Sequence, residues 1–319
     1  MKLETIFKLS AQKLKQNLRA ELVKLGYSEK SLHNKSKFLY AEGDAPYMLV
    51  AHLDTVHKDL PSIICYSNDG NYMMSPQGIG GDDRCGVYII LELLKKLHYR
   101  PYVVFTMDEE VGGLGAMAFS NYIDQHDMPE LKYIVEYDRK GNEDCVFYDC
   151  DNKEFVEFVE SFGFKEDYGT FTDICDIAPT MGVAAVNLSS GYFSPHTEHE
   201  YVSLKDVRNI IDKSYKMLCA ECDGFKYVKK EHSYSHYYVG KKIAVSFVPE
   251  ATLYLYAWRN GEYYLNDNKE IVVDKDGKYY YYDSTYKDLM SVYGDVEPVD
   301  PDNIPSYDPK NFQLLTVYY

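Results

Sequence analysis

The spacing of apolar residues predicts an amphipathic helix at the start of the chain, followed by strands that alternate with helices. Over residues 1–25, the apolar positions fall on one helical face: Leu3, Ile6, Phe7, Leu14, Leu18, Leu22 and Leu25. Further along, short apolar runs predict strands at residues 47–53, 102–107, 133–137, 145–148 and 183–188. Between and after them, helical periodicity predicts helices at residues 87–97, 114–122, 155–162 and 204–218.

This alternation predicts an α/β fold, in which a mainly parallel sheet is sandwiched by helices. Successive parallel strands need a crossover connection, and a helical crossover covers a face of the sheet. In sheets of this kind, ligands bind beyond the carboxyl ends of the strands. Polar residues that directly follow a predicted strand are therefore the first candidates for function.

The pattern changes after about residue 224, where helical periodicity fades and tyrosines cluster. The whole chain contains 33 tyrosines in 319 residues. Two turn signals, Asn260-Gly261 and Asp276-Gly277, are flanked by aromatic and β-branched residues, which predicts β-hairpins. We therefore expect a domain at residues 1–224 and a tyrosine-rich β module at 225–319. An extension that packs on the first domain is the open alternative.

Charge and cysteine usage narrow the classes of partner and compartment. The formal net charge is −16. Nucleic acids and anionic membranes bind positively charged surfaces, so this charge argues against both as partners. The sequence contains no apolar run of about 18 residues and no signal-peptide pattern at its start. Seven scattered cysteines favour a reducing compartment. We expect a cytoplasmic protein with no nucleic-acid or membrane partner, and its oligomeric state stays open.

Five polar segments carry the candidate chemistry, and each follows a predicted strand or precedes a helix. They span residues 51–56, 78–86, 106–116, 135–141 and 194–201. Taken singly, they have ordinary explanations, such as a buried core histidine, a helix cap or a solvated turn. Taken together, they supply histidines and carboxylates as candidate ligands, and a set of nitrogen and oxygen donors without thiolate suits zinc, with cobalt or manganese as alternatives. Two histidines and three carboxylates exceed one tetrahedral zinc but fit two ions that share an aspartate.

Within these segments, some candidates have competitors nearby. His52 and Asp54 are two residues apart on a strand end and so point to the same side, where Asp54 can hold the second imidazole nitrogen. Asp138 is the candidate ligand of its segment, with Glu136 as the alternative. In the last segment, His196 is the candidate ligand, with the acid four residues later as its support, and His199 is the alternative ligand.

The order of the motifs H-x-D-T, D-D-R-x-G, D-E-E-x-G-x-x-G-A, D and H-T-x-x-E resembles that of the co-catalytic dizinc exopeptidases. The resemblance covers roughly residues 47–220. This superfamily includes peptidase T-like tripeptidases, glutamate carboxypeptidase-like enzymes and zinc aminopeptidases. The resemblance implies their zinc exopeptidase-like fold and a centre of two divalent cations.

Residue by residue, the resemblance implies His52 and Asp138 as ligands of one ion and Glu110 and His196 as ligands of the other. Asp82 then corresponds to the carboxylate that bridges the two ions. Two further roles follow from the same motifs. Glu109 corresponds to the general base and Asp54 to the residue that orients His52, and the peptide between Asp82 and Asp83 is expected to be cis.

The function predicted on this basis is metal-assisted hydrolysis of an amide bond, with an aminopeptidase acting on short peptides as the leading hypothesis. A carboxypeptidase, a dipeptidase or an N-acyl amino acid deacylase would use the same metal core. A catalytically inert protein that binds metal or a partner is the alternative from another class. Only 27 residues separate Asp54 from Asp82, and 57 separate Asp138 from His196, which predicts that no lid domain is inserted.

Overall fold

The computed structural model divides the chain into two compact units, Met1–Lys230 and Glu231–Tyr319. The first unit is described in full. In the second unit, only the backbone of the strands at residues 236–237, 243–244, 263–265, 271–275, 278–283, 288–291 and 297–299 is described.

The first unit contains helices and strands in alternation along most of its length. Its α-helices are α1 (Leu3–Phe7), α2 (Ala11–Lys24), α3 (Gly81–Lys96), α4 (Leu114–Ile123), α5 (Lys153–Glu160), α6 (Ile174–Met181) and α7 (Leu204–Leu218). Its strands are β1 (Leu32–Asn34), β2 (Phe38–Ala41), β3 (Ala45–His52), β4 (Cys65–Tyr66), β5 (Tyr72–Met74), β6 (Pro101–Thr106), β7 (Tyr133–Arg139), β8 (Asp144–Val146), β9 (Lys165–Glu166), β10 (Ala185–Ser189), β11 (Tyr192–Phe193) and β12 (Tyr201–Ser203).

The central sheet has eight strands in the order β1-β2-β6-β3-β7-β10-β8-β9. Its four central strands, β6, β3, β7 and β10, are mutually parallel. In the centre of this array, Val50 lies beside Val104 on one side and Glu136 on the other. The predicted α/β fold with a mainly parallel sheet is therefore confirmed, while β1, β2 and β8 add antiparallel pairings towards the edges.

Helices cover both faces of this sheet, as successive residues of β3 show. Leu49 and Ala51 belong to a core cluster shared with α1, α2, α3, α5 and α7. Met48 and Val50 belong to a second cluster, shared with α4 and α6. Because neighbouring strand residues point to opposite faces, one continuous apolar run fills both clusters. This double burial fixes where β3 ends and thus where His52 lies.

The predicted N-terminal helix is wrong in one respect, because the structure has two helices in its place. The chain leaves α1 after Phe7, and α2 begins after Ser10, whose hydroxyl oxygen accepts a hydrogen bond from the backbone N–H of Lys13 at 3.3 Å. This is an ordinary N-cap contact. Both helices bury their apolar side chains in the same cluster, so the hydrophobic pattern runs across the break without interruption.

A second, four-stranded antiparallel sheet in the order β11-β12-β5-β4 lies in the first unit. The segment between Asp54 and Asp82 contributes β4 and β5 to it. The loop that joins β11 to β12 carries His196. The sequence pattern did not predict these strands, because two or three residues are too few to establish a period.

The described strands of the second unit are β13 (His236–Tyr237), β14 (Ile243–Ala244), β15 (Tyr263–Leu265), β16 (Ile271–Lys275), β17 (Lys278–Asp283), β18 (Asp288–Ser291) and β19 (Glu297–Val299). Strands β16 and β17 pair antiparallel with Lys275 opposite Lys278, as expected for a hairpin at Asp276-Gly277. The hairpin predicted at Asn260-Gly261 lies outside the described residues. The domain boundary near residue 224 stays a prediction.

Candidate metal centre

The candidate centre lies at the carboxyl ends of the central strands of the first unit. His52 is the last residue of β3, Glu109 and Glu110 follow β6, and Asp138 is near the end of β7. Two further elements reach the same edge. The kinked start of α3 contributes Asp82, and the loop between β11 and β12 contributes His196. Segments that are far apart in the sequence therefore converge where ligands bind in parallel sheets.

The carboxylate of Asp82 lies between two histidines. Its Oδ1 is 3.1 Å from His52 Nε2, and its Oδ2 is 3.1 Å from His196 Nε2. Asp138 Oδ1 lies 3.5 Å from the same nitrogen of His52, and Glu110 Oε2 lies 3.2 Å from that of His196. Among the described residues, the donor atoms form three groups, each with one imidazole and two carboxylates. Asp82 belongs to two of them, and the third joins His52 to Glu109 and Glu110. All five ligands predicted from the sequence meet here.

This donor set fits two divalent cations. Within each group, the donor atoms lie within 4.8 Å of one another, and nitrogen and carboxylate oxygen are the ligands that zinc accepts. Glu110 Oε1 is buried and has no hydrogen-bond partner, which is costly for a carboxylate oxygen unless a cation faces it. His52 is fully buried among acids. As a metal ligand, its imidazole would be neutral there and would need no second proton.

Asp54 holds two parts of the centre at once. Its Oδ1 lies 3.4 Å from His52 Nδ1, the contact expected of a residue that orients this imidazole. Its two carboxylate oxygens also accept hydrogen bonds from the backbone N–H groups of Glu109 and Glu110, both at 3.2 Å. The sequence suggested only the first of these roles. Through the second, Asp54 fixes the turn that presents Glu109 to the site.

The backbone around Asp82 is unusual and closely packed. The peptide bond between Asp82 and Asp83 is cis, as the resemblance implied. Asp83 is buried, and its carboxylate accepts hydrogen bonds from the backbone N–H groups of His52 at 3.3 Å and Gly86 at 3.0 Å. A side chain at Gly86 would place its Cβ 2.1 Å from the carbonyl oxygen of Tyr137. The start of α3 therefore packs directly against β3 and β7.

The alternative ligands lie elsewhere. Glu136 is fully buried on β7 and belongs to none of the candidate ligand groups of the described residues, whereas Asp138 does. The second carboxylate oxygen of Asp138 is also held, since Oδ2 accepts a hydrogen bond from the hydroxyl of Thr172 at 2.9 Å. His199 is exposed and lines a separate pocket of about 410 Å³ with Tyr66 and other residues of the second sheet.

Glu200 does not support His196, as the sequence suggested, but holds the loop of Asp82. It is fully buried, and its carboxylate accepts hydrogen bonds from the backbone N–H groups of Gly80 at 2.9 Å and Asp82 at 3.0 Å. His57 places its Nε2 2.6 Å from the same carboxylate. One carboxylate thus joins the loop that follows His196 to the loop that carries the shared aspartate.

Replacing Glu200 with alanine is expected to weaken metal binding by roughly 10–100-fold, as changes behind a ligand usually do. The backbone of Asp82 would lose its acceptor, and both ion positions depend on that residue. Competition with a chromophoric chelator measures the affinity, and circular dichroism checks the fold. Glu198→Ala, at an exposed position two residues away, is the control. Unchanged affinity in a folded Glu200→Ala protein would contradict this role.

Crowding of acids and imidazoles shifts the pKa values of several site residues, which the sequence alone could not show. Burial and the charge of Asp138 raise the pKa of Glu109 to about 8, although His52 acts in the opposite direction. Burial and the charge of Asp82 raise the pKa of Asp138 to about 7. Hydrogen bonds with Asp82 and Glu110 raise the pKa of His196 to about 10. Raised pKa values mean that bound protons reduce the negative charge of these crowded acids, as bound cations would also do.

Metal binding is therefore expected to release protons and to weaken as the pH falls. His196 and Asp138 must lose protons to become ligands, so each displaced proton lowers the apparent affinity about tenfold per pH unit below its pKa. Chelator competition at pH 6, 7 and 8 measures this dependence, with total metal held constant. An affinity that is the same at all three values would show that neither group binds the ion.

Part of the chain matches a known peptidase family. Residues 70–129, which include Asp82, Glu109 and Glu110, match the family model described as M42 glutamyl aminopeptidase. Solved structures match over a larger part of the chain. A tripeptidase from Staphylococcus aureus is similar with a TM-score of 0.54 and 12% identity, over 68% of this chain and 95% of that one.

Two further solved structures show the same similarity. The aminopeptidase PepT from Bacillus cereus matches with a TM-score of 0.54 and 12% identity, over 68% of this chain and 96% of that one. An aminopeptidase from the archaeon Desulfurococcus kamchatkensis matches with a TM-score of 0.52 and 17% identity, over 68% and 94%. The chain has the zinc exopeptidase-like fold.

The resemblance that the five motifs indicated is thereby confirmed at the level of the fold. Among curated proteins, none matches this zinc exopeptidase-like chain in sequence. Of the helices that the structure describes, none is both long enough and apolar enough to cross a bilayer.

Proposed function

We propose that the chain is a metal-dependent aminopeptidase that removes the first residue from short peptides. The observation that carries this proposal is the position of Asp82 between His52 and His196, with Glu109 beside them. The family match over residues 70–129 supports the same activity. A purely structural metal site has no use for the spare carboxylate of Glu109, which counts against the inert alternative.

In the proposed reaction, this chain's residues hold the cations and move one proton. His52, Asp82 and Asp138 would hold one ion, and Asp82, Glu110 and His196 the other. Two divalent cations, zinc or alternatively cobalt or manganese, supply Lewis acidity that polarises an amide carbonyl and lowers the pKa of water.

Glu109 acts as the general base and then as the general acid. Its Oε2 lies 4.0 Å from His52 Nε2, close to the centre, while the neighbouring Glu110 points to the ligand group of His196. Glu109 takes the proton of the attacking water and delivers it to the nitrogen of the leaving amine. Asp54 keeps Glu109 in place through its hydrogen bond to the backbone.

An aminopeptidase requires a free amine on its substrate, and this requirement separates the proposal from its rivals. We expect aminoacyl-p-nitroanilides to be cleaved with added zinc, cobalt or manganese, and their N-acetylated forms to resist cleavage. N-acylated amino acids test the deacylase and carboxypeptidase alternatives under the same conditions. Faster release of a free amino acid from the N-acylated substrates would overturn the aminopeptidase assignment but retain the metal core.

We also propose a cytoplasmic location, since all seven cysteines of the sequence are free thiols in the structure. Unpaired cysteines in this number persist where thiols are kept reduced. The proposed partner is the peptide substrate.

A further inference from the structure

Exposed apolar side chains lie directly beside the residues of the metal centre. Val111 follows Glu110 in the chain and is 66% exposed. Leu114 begins α4 at the end of the same glycine-rich turn and is 40% exposed. Large apolar side chains at a surface incur a hydration cost, and next to a site they commonly mark the place where a ligand is bound.

A second loop brings another exposed apolar side chain to the same turn. Phe171 is 45% exposed, and its ring lies so close to Gly113 that a Cβ there would come within 2.6 Å of its Cζ. The next residue, Thr172, donates the hydrogen bond that holds the carboxylate of Asp138. The ring of Phe171 is therefore fixed between the turn that carries Glu110 and the segment that supports Asp138.

The charge of the surrounding loops restricts which substrate side chain this surface can accept. Residues 107–113, 167–173 and 190–200 contain several Asp and Glu residues but no Lys or Arg. The cations that reach these loops, Lys37 and Arg139, are already paired with loop carboxylates. An acidic side chain placed there would compete with those carboxylates, which is unfavourable in a partly desolvated site. An apolar side chain would cover Val111, Leu114 and Phe171 and remove their surface from water.

We propose that Val111, Leu114 and Phe171 form the subsite for the side chain of the first substrate residue, and that this residue is apolar. The proposal rests on the proposed aminopeptidase function and deepens it by naming the substrate class. It differs from the acidic preference that the words glutamyl aminopeptidase describe for the matched family. The acidic loops complement the free amine of the substrate, and the apolar surface complements its side chain.

The test compares leucyl-, phenylalanyl-, alanyl- and glutamyl-p-nitroanilide with the full chain loaded with zinc. We expect kcat/KM for the leucyl and phenylalanyl substrates to exceed that for the glutamyl substrate by roughly tenfold or more, as removal of a whole apolar side chain from water implies. In Val111→Ser and Phe171→Ser, the leucyl-to-alanyl ratio of kcat/KM should fall. Because it is a ratio, general damage to the metal centre does not change it.

Val228→Ser is the matched control, since Val228 is 46% exposed and belongs to none of these loops. It should leave the ratio unchanged. Val111→Lys should improve the glutamyl substrate relative to the leucyl one, because it adds a cation beyond those already paired with loop carboxylates. A wild-type preference for the glutamyl substrate, or an unchanged leucyl-to-alanyl ratio in both serine variants, would overturn the subsite.

A binding measurement separates failure of the subsite from failure of the proposed function. Calorimetric titration of the zinc-loaded protein with free leucine and free glutamate requires no turnover. Tighter binding of leucine that is lost in Phe171→Ser would support the subsite even if no anilide were cleaved, in which case the aminopeptidase function would fall alone. Cleavage of anilides together with tighter binding of glutamate would retain the function and reject the subsite.

Discussion

Glu109→Gln is expected to lower kcat by roughly 10²–10⁴-fold while both cations stay bound, because general acid–base catalysis contributes about that factor. Glutamine has nearly the same shape and leaves the predicted ligands, Glu110 among them, in place, but it cannot accept the proton of the attacking water. Turnover of an aminoacyl-anilide and elemental analysis of the same sample measure the two quantities together.

Glu130→Gln provides the matched control, since Glu130 is exposed and belongs to none of the candidate ligand groups of the described residues. It should change neither turnover nor metal content. If Glu109→Gln turned over substrate at the normal rate, another group would have to serve as the base. If the variant lost its metal instead, Glu109 would be a metal ligand. The geometry also permits this role, because Glu109 forms a candidate ligand group with His52 and Glu110.

Asp82→Ala is expected to lose both cations, whereas His52→Ala and His196→Ala are each expected to lose one of the two. The reason is geometric: Asp82 presents one oxygen to each histidine, at 3.1 Å in both cases. A lost ligand removes both a bond to the ion and part of the negative charge that retains it. Metal-to-protein ratios after dialysis, measured by elemental analysis, distinguish the three variants.

His199→Ala is the control for the histidine variants, because His199 is exposed and lies only three residues from His196. It should keep both ions. Circular dichroism confirms that each variant is folded before its metal content is interpreted. Full metal content in both His52→Ala and His196→Ala would refute the two-ion centre, and the proposed function would lose its basis.

Much of the site could be predicted from the sequence because its residues occur at recognisable places. Buried parallel strands appear as apolar runs, and function concentrates where such runs end. His52 directly ends one run, and Glu109 and Glu110 follow another. The pairing of His52 with Asp54 followed from the alternation of side chains along a strand.

Other features depended on contacts between distant residues. The sequence paired Glu200 with His196, which lies four residues earlier, and this prediction was wrong. The carboxylate of Glu200 instead accepts hydrogen bonds from the backbone of Gly80 and Asp82. The second role of Asp54 likewise depends on the backbone of Glu109, far away in the chain. Local spacing carries no information about such contacts.

The sequence by itself determined the central strands of the sheet, most of the helices, their order, and which chemical groups stand at their ends, since these follow from local periodicity. Only the tertiary structure decided which carboxylate faces which imidazole, that Asp138 rather than Glu136 joins them, and that Phe171 packs on the turn of Glu110. These outcomes depend on how strands and loops pack in three dimensions, where differences of a few ångströms separate a potential ligand from a buried bystander.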